Sequence, residues 1–237
     1  MIYSIADFLV EYSPRYERLM SRSEKYLAEN QNLTPEISLS VSEEEIDEHL
    51  IKYVATRDLA EYVLMGAKFY KEILGKDAFF LHSSAVAVDG SGFAFTGPCG
   101  AGKSTHSALW RQYFGTKAIA INDDKPVVKF IDGKAFVCGT PFSGKNDINA
   151  NISVPLKGIC VMNQAPENSI SRLQSSEAMT VIMEQTLRPE EPEKIMALLD
   201  VLDKTLSQVP VYKLNCTKSF EAVELCYNTL SGKPKLT

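Results

Sequence analysis

The run Gly97-Pro98-Cys99-Gly100-Ala101-Gly102-Lys103-Ser104 satisfies the spacing GxxxxGK[ST] in full. In such a run the glycines let backbone N–H groups turn inward around phosphate oxygens. The positive end of the following helix adds to the attraction. Lys103 would supply a point charge to the β- and γ-phosphates, and the Ser104 hydroxyl would complete a Mg²⁺ shell. Gly97, Cys99, Gly100, Ala101, Gly102, Lys103, Ser104 and Thr105 are therefore the expected cofactor-binding residues, for a nucleoside triphosphate with Mg²⁺. A glycine-rich turn that binds nothing is the competing reading, but a chance match in a chain this long is roughly 1%. Cys99 is either a small filler residue or a thiol made redox-sensitive by the helix N-terminus.

Other residues could complete a reaction centre. Asp123-Asp124 offers one metal-shell ligand and one base for an acceptor hydroxyl, as phosphoryl transfer requires. Strand alternation would send the two carboxylates to opposite sides; Asp123 is the favoured base and Asp124, with Ser104, the metal ligand. The pair could instead form an Asx turn. His82 could hydrogen-bond the γ-phosphate or position the acceptor, or be a structural histidine. Ser143-Gly144-Lys145 forms a candidate substrate loop, in which Lys145 contacts phosphate or substrate or is simply solvated. His106, one turn into the helix, is expected on the surface.

The elements that must position these residues are legible in outline. A strand is expected over 2–10, another over 37–41, and helices over 42–53 and 57–74, the first with Ser42 and Glu45 in capping-box spacing. The acidic cluster from Glu43 to Glu48 reads as a solvated helix start. Strands 85–88 and 93–96 flank a four-residue loop Asp89–Gly92, placing Val88 opposite Phe93 and His82 near Cys99. A helix over 102–114 and a strand over 118–121 follow. Asp132-Gly133 turns a second hairpin that sets Val127 opposite Cys138, bringing Asp123–Lys125 beside Gly139–Lys145. Further along, strands are expected at 154–162 and 211–215, with helices at 176–187, 192–207 and 219–230.

Composition sets the frame. The chain has 237 residues, 45% hydrophobic and 23% charged, with net charge -5. That excludes a disordered or fibrous chain and lacks the basic stripe of a nucleic-acid or anionic-membrane binder. No apolar run reaches membrane-spanning length, and residues 1–7 carry no basic leader-like region. Five separated cysteines without CxxC fit reduced thiols and a cytoplasmic protein. One α/β domain over 1–237 is expected, with a core over 76–237 and an N-terminal α+β extension over 1–75.

With these motifs in hand, the chain resembles the HPr kinase/phosphoenolpyruvate carboxykinase-type (PEPCK-like) P-loop fold, and within it compact bacterial HPr kinase-related proteins. The resemblance rests on Leu81-His82-Ser83-Ser84-Ala85, the Gly97–Thr105 loop, Asn122–Pro126, Gly139–Lys145, Val154–Lys157 and the Asn168…Arg172-Leu173 stretch. It implies a mixed sheet with antiparallel hairpins around the P-loop and helices packed on it. It also implies His82, Lys103, Asp123 and Asp124 as catalytic residues, ATP and Mg²⁺ as cofactors, and transfer to a serine hydroxyl of a small protein or peptide. Homo-oligomers are common among such relatives. Ser83 where HPr kinase has glycine, Thr105 in place of glutamate and the lack of the downstream Arg-Gly signature leave HPr itself, and reverse phosphorolysis, without support. A small-molecule hydroxyl kinase and a non-catalytic nucleotide sensor are the alternatives.

Overall fold

The computed structural model describes residues 1–232. The chain opens with β1 (Ile2–Ile5) and β2 (Phe8–Glu11), an antiparallel hairpin where one strand was expected. Its two-residue turn is Ala6-Asp7, both at positive φ (51° and 57°). Neither is glycine, so the turn left no mark in the sequence. α1 (Glu17–Ser23), also unanticipated, precedes β3 (Ile37–Ser38), which adds parallel to β2. α2 (Glu43–Lys52) starts at the expected capping box: Ser42 Oγ accepts from Glu45 N (3.2 Å), and Glu45 Oε2 accepts from Ser42 N (2.8 Å). α3 (Arg57–Glu72) turns Tyr62, Met65, Phe69 and Tyr70 inward at helical spacing. These side chains join β1 and β2 in a core that also takes in Val127, Cys138 and Phe142.

The remaining strands are β4 (Ala78–Phe80), β5 (Ser83–Val88), β6 (Ser91–Thr96), β7 (Ala118–Asn122), β8 (Val127–Ile131), β9 (Lys134–Cys138), β10 (Ser153–Gln164), β11 (Ser169–Arg172) and β12 (Val211–Cys216). Among the described residues they form one nine-stranded mixed sheet, ordered β4-β8-β9-β10-β6-β5-β7, with β12 beside β10 and β11 beside β12. The twelve-residue β10 joins its parts, antiparallel to β9 at its start and parallel to β6 and β12 further on. Helices cover both faces, as strand alternation requires. Ala85, Ala87 and Ala94 pack with α5 (Ser175–Glu184) and α6 (Pro192–Gln208). The intervening Val86, Val88, Phe93 and Phe95 pack with α4 (Lys103–Phe114) and α7 (Phe220–Leu230). The fold is α/β with mixed sheets. No helix among the described residues is long and apolar enough to cross a membrane.

Two expectations need correction. The first hairpin closes on Asp89-Gly90 alone, both at positive φ, so Val88 pairs with Ser91 and Val86 with Phe93. The slip is two residues, an even number, so every side chain keeps its expected face. Ser83 thereby pairs with Thr96, whose hydroxyl donates to the His82 carbonyl (2.9 Å), so His82 sits at the start of the glycine loop rather than near Cys99. His106 is not on the surface but 2% exposed, edge-on to Phe95 and accepting from Trp110 Nε1 at Nε2 (3.0 Å). Burial depresses its pKa to about 4, so the ring is neutral. The second hairpin has the expected register, from Ile131 opposite Lys134 to Val127 opposite Cys138. All five cysteines are free thiols, Cys99 exposed and the others buried.

Candidate functional site

Between β6 and α4 the chain turns through Gly97, Gly100 and Gly102 at φ of 137°, 82° and 93°. Side-chain-bearing residues would be strained at all three, which explains the glycine spacing. At Gly97 a Cβ would also come within 3.0 Å of the Met162 carbonyl on β10. Lys103 opens α4, and its ammonium donates to the carbonyls of Gly97 (2.8 Å) and Pro98 (3.2 Å). Burial lowers its pKa, opposed by the charges of Cys99 and Asp124. Gln164, at the end of β10, donates to Gly100 O (2.6 Å) and ties the loop to the sheet.

The next strand delivers the carboxylates. β7 ends at Asn122, whose buried Oδ1 accepts from Asp124 N (2.8 Å) and Lys125 N (2.7 Å). This Asx turn is built by Asn122, not by the aspartates. It bends the chain out of strand geometry, so strand alternation no longer applies. Asp123 and Asp124 therefore line the same cleft, of about 380 Å³, rather than opposite sides. Asn122 Nδ2 donates to Thr140 O (3.0 Å), and the Thr140 hydroxyl donates to Lys125 O (2.9 Å). These bonds hold 122–125 beside the Gly139–Lys145 loop, as the hairpin register implied.

The two carboxylates have different surroundings. Asp123 Oδ1 accepts from Gly144 N (2.7 Å). Burial and, to a lesser degree, the Asp124 charge raise its pKa against the lowering effect of that bond. A Cβ at Gly144 would lie 3.0 Å from an Asp123 oxygen, so a larger residue there would push that carboxylate back. Asp124 stands 3.3 Å from His82 Nε2 through Oδ1 and contacts Lys125 Nζ through Oδ2. Burial alone would raise its pKa. The His82 hydrogen bond and the Lys125 charge outweigh that and hold it at about 2.

A carboxyl depressed in this way contributes stability that is present above its unfolded value of about 4 and is lost as pH falls towards its folded value. The stability gap between the native protein and Asp124→Asn should therefore be up to about 2 kcal/mol at neutral pH and shrink between about pH 5 and pH 2. Urea unfolding across that range measures it, and a gap independent of pH would contradict the pairing.

The cleft thus gathers Ser104, Asp123, Asp124, Gly144 and Lys145 among the expected residues. Ser104 Oγ also meets Ser84 Oγ (3.3 Å), and the Ser84 hydroxyl bonds Asp123 O (3.0 Å). His82 reaches the cleft through Asp124. Ser143 turns away, its hydroxyl bonded to Asp147 Oδ1 (3.0 Å) and Asn149 Nδ2 (2.9 Å) within the loop. Ala101, Gly102 and Thr105 line a separate cavity of about 270 Å³ with His106. Cys99 and Gly100 are exposed on the loop's outer side. Among the described residues no three or more His, Cys, Asp or Glu side chains form a self-sufficient metal cage.

One contributor had no signal in the sequence. Arg22, on α1, is 7% exposed and donates to Tyr62 Oη (2.8 Å), Ser143 O (3.1 Å) and Gly144 O (3.1 Å). Asp147 faces it at 3.7 Å, and the Tyr62 ring lies under its guanidinium. The N-terminal segment therefore braces the loop whose Gly144 amide holds Asp123.

The chain matches no protein-family model and no curated protein in sequence. Among solved structures it is similar to the HPr(Ser) kinase/phosphatase from Coxiella burnetii, at TM-score 0.35 and 12% identity, over 65% of this chain and 97% of that one. At that distance the likeness does not bear on activity.

Proposed function

We propose that this protein is a phosphotransferase that moves the γ-phosphoryl of ATP to a hydroxyl, with a serine of a small protein or peptide as the expected acceptor. The observation that carries this reading is the single cleft in which Ser104, at the start of the helix after the glycine loop, meets Asp123 and Asp124. The N–H groups of the loop and Lys103 would cradle the triphosphate.

Mg²⁺ fits the donor set. In nucleotide sites it takes one or two protein oxygens and completes its shell with phosphate and water. Ser104 and Asp124 supply that number, and a carboxylate has lone pairs left after pairing with His82 and Lys125. When bound, the ion would neutralise charge developing on the phosphates. His82 orients the Asp124 carboxylate. Asp123 is the better base of the two, because its raised pKa gives it more affinity for a proton than Asp124 has.

In the transfer step the acceptor oxygen forms a bond to the γ-phosphorus as its proton passes to Asp123. The bond from the γ-phosphorus to the β–γ bridging oxygen breaks, and ADP leaves with that electron pair. Positioning and electrostatics supply most of the catalysis.

The test is transfer of labelled γ-phosphate from Mg-ATP to serine-containing peptides, with Ser104→Ala alongside. The variant should lose affinity for Mg-ATP on the order of tenfold, the scale seen when a metal's support is removed, and lose less for ATP with chelator. Equal losses would refute the role given to Ser104, and binding without transfer to any hydroxyl acceptor would refute the kinase reading.

A further inference from the structure

The cleft beside Asp123 carries charge that phosphoryl transfer to a plain hydroxyl does not use. One wall is a single face of α4, formed by Ser104, Ser107, Ala108 and Arg111 at spacings of three and four. Lys145 stands in the lining with Asp123 and Gly144. The acidic groups are engaged, Asp124 with His82 and Lys125, and Asp123 with the Gly144 amide. The two cations are not. Among the described residues the Arg111 guanidinium and the Lys145 ammonium make no hydrogen bond or ion pair, and Arg111 Nε is buried with no acceptor. Arg111 is half-buried and Lys145 exposed, and with no acceptor in the chain both keep donors for an anion that enters the cleft they line.

Nucleotide phosphates do not account for that partner. Of residues 97–105, only Ser104 reaches this lining. Arg111 lies seven residues further on, about 10 Å along the helix axis. A planar guanidinium and an ammonium converging on one cleft suit a carboxylate or phosphate, which Arg can bind through two parallel N–H bonds.

We propose that Arg111 and Lys145 form an oxyanion subsite in the acceptor cleft, so that the acceptor is a hydroxyl compound carrying a carboxylate or phosphate close to that hydroxyl. The inference rests on the kinase reading and adds the class of acceptor. The anion belongs either to a free hydroxy acid or to an acidic residue flanking a serine in a peptide, and the same two cations serve both.

The experiment pairs acceptors that differ only in charge. Transfer from Mg-ATP is measured to glycerate against glycerol, and to a Ser-Asp peptide against the matching Ser-Lys peptide, with the native protein, Arg111→Gln and Arg111→Lys. Binding of glycerate alone is followed by calorimetry. The native protein should prefer the anionic member of at least one pair, and which pair identifies the source of the anion. Arg111→Gln should raise the KM for that acceptor at least about tenfold, leave the KM for ATP and the melting temperature unchanged, and abolish the preference. Arg111→Lys should recover part of it. Equal use of charged and neutral acceptors by the native protein, or a rise in the KM for ATP in Arg111→Gln, overturns the subsite and leaves the kinase reading standing. Arg111-dependent binding of glycerate without any transfer overturns the kinase reading and supports the subsite. Neither binding nor preference for any anionic probe overturns the subsite.

Discussion

Replacing Asp123 with asparagine should lower phosphoryl transfer roughly 10²- to 10⁴-fold, the range a positioned general base supplies, while ATP affinity stays within about twofold of the native value. Asparagine keeps an Oδ1 that can accept from Gly144 N, as Asp123 does at 2.7 Å, so the local fold survives. It removes only the negative charge and the site for the proton. The same change makes a second, less usual demand on stability. The Asp123 pKa is raised, chiefly by burial, so folding favours its protonated form. The stability this group contributes is present below its unfolded value and is lost as pH rises through its folded value. At neutral pH the ionised carboxylate therefore opposes folding, and Asp123→Asn should melt at the native temperature or above it. Any such gain should vanish on going to about pH 4. Calorimetry at pH 4 and pH 7 with a single-turnover transfer assay measures both. Transfer at the native rate would remove Asp123 from the chemistry. A melting point lowered by several degrees together with lost activity would make it structural.

The second large effect lies at the other end of the chain. Arg22→Met keeps the apolar bulk over Tyr62 but removes the donors to Tyr62 Oη, Ser143 O and Gly144 O and the charge facing Asp147, which keeps Ser143, Asn149 and Lys25 as partners. Hydrogen bonds from a charged donor contribute about 1.5–3 kcal/mol each. The acceptors here keep other partners, Tyr62 Oη on Ser143 O (2.9 Å) and Asp147 N on Gly144 O (3.3 Å), so the loss falls short of the full sum. About 3 kcal/mol is expected, or a melting temperature lower by roughly 6–12 °C. Catalysis should suffer separately. Once 143–147 is freed, the Gly144 amide no longer holds Asp123 in place, so kcat should fall about tenfold or more at temperatures where the variant is fully folded. The KM for ATP should not change. Arg22→Lys should restore part of the stability and less of the rate, since an ammonium cannot reproduce the fork of donors. A folded variant with native kcat would show that the brace serves stability alone.

The first hairpin shows how sequence inference can miss a register and still place a site. Reading Asp89–Gly92 as the whole loop put the pairing two residues out. Because the slip is even, His82 still borders the glycine loop. The N-terminal hairpin was missed altogether, because Ala6 and Asp7 take positive φ without the glycine that usually announces it. His106 went wrong for a different reason. A polar residue one turn into a helix reads as surface, and only the packing of α4 against Phe95 on β6, with Trp110 one turn further along the same helix, buries it.

The sequence by itself determined the glycine loop, the Asp132-Gly133 hairpin, the capping box of α2 and the neighbourhood of Asp123-Asp124 with Gly139–Lys145. These follow from turn chemistry, helix capping and period-two alternation, which act over a few residues and can be read locally. Only the tertiary structure decided that Asn122 bends both aspartates into one cleft, that His82 and Lys125 hold Asp124 ionised while burial raises Asp123, and that Arg22 and Arg111 belong to the site at all. Arg22 meets Gly144 across 122 residues of chain, and a pKa depends on solvent exclusion and on charges brought in by other segments. Neither burial nor a distant partner exists until the sheet has closed, so no local pattern in the sequence can encode them.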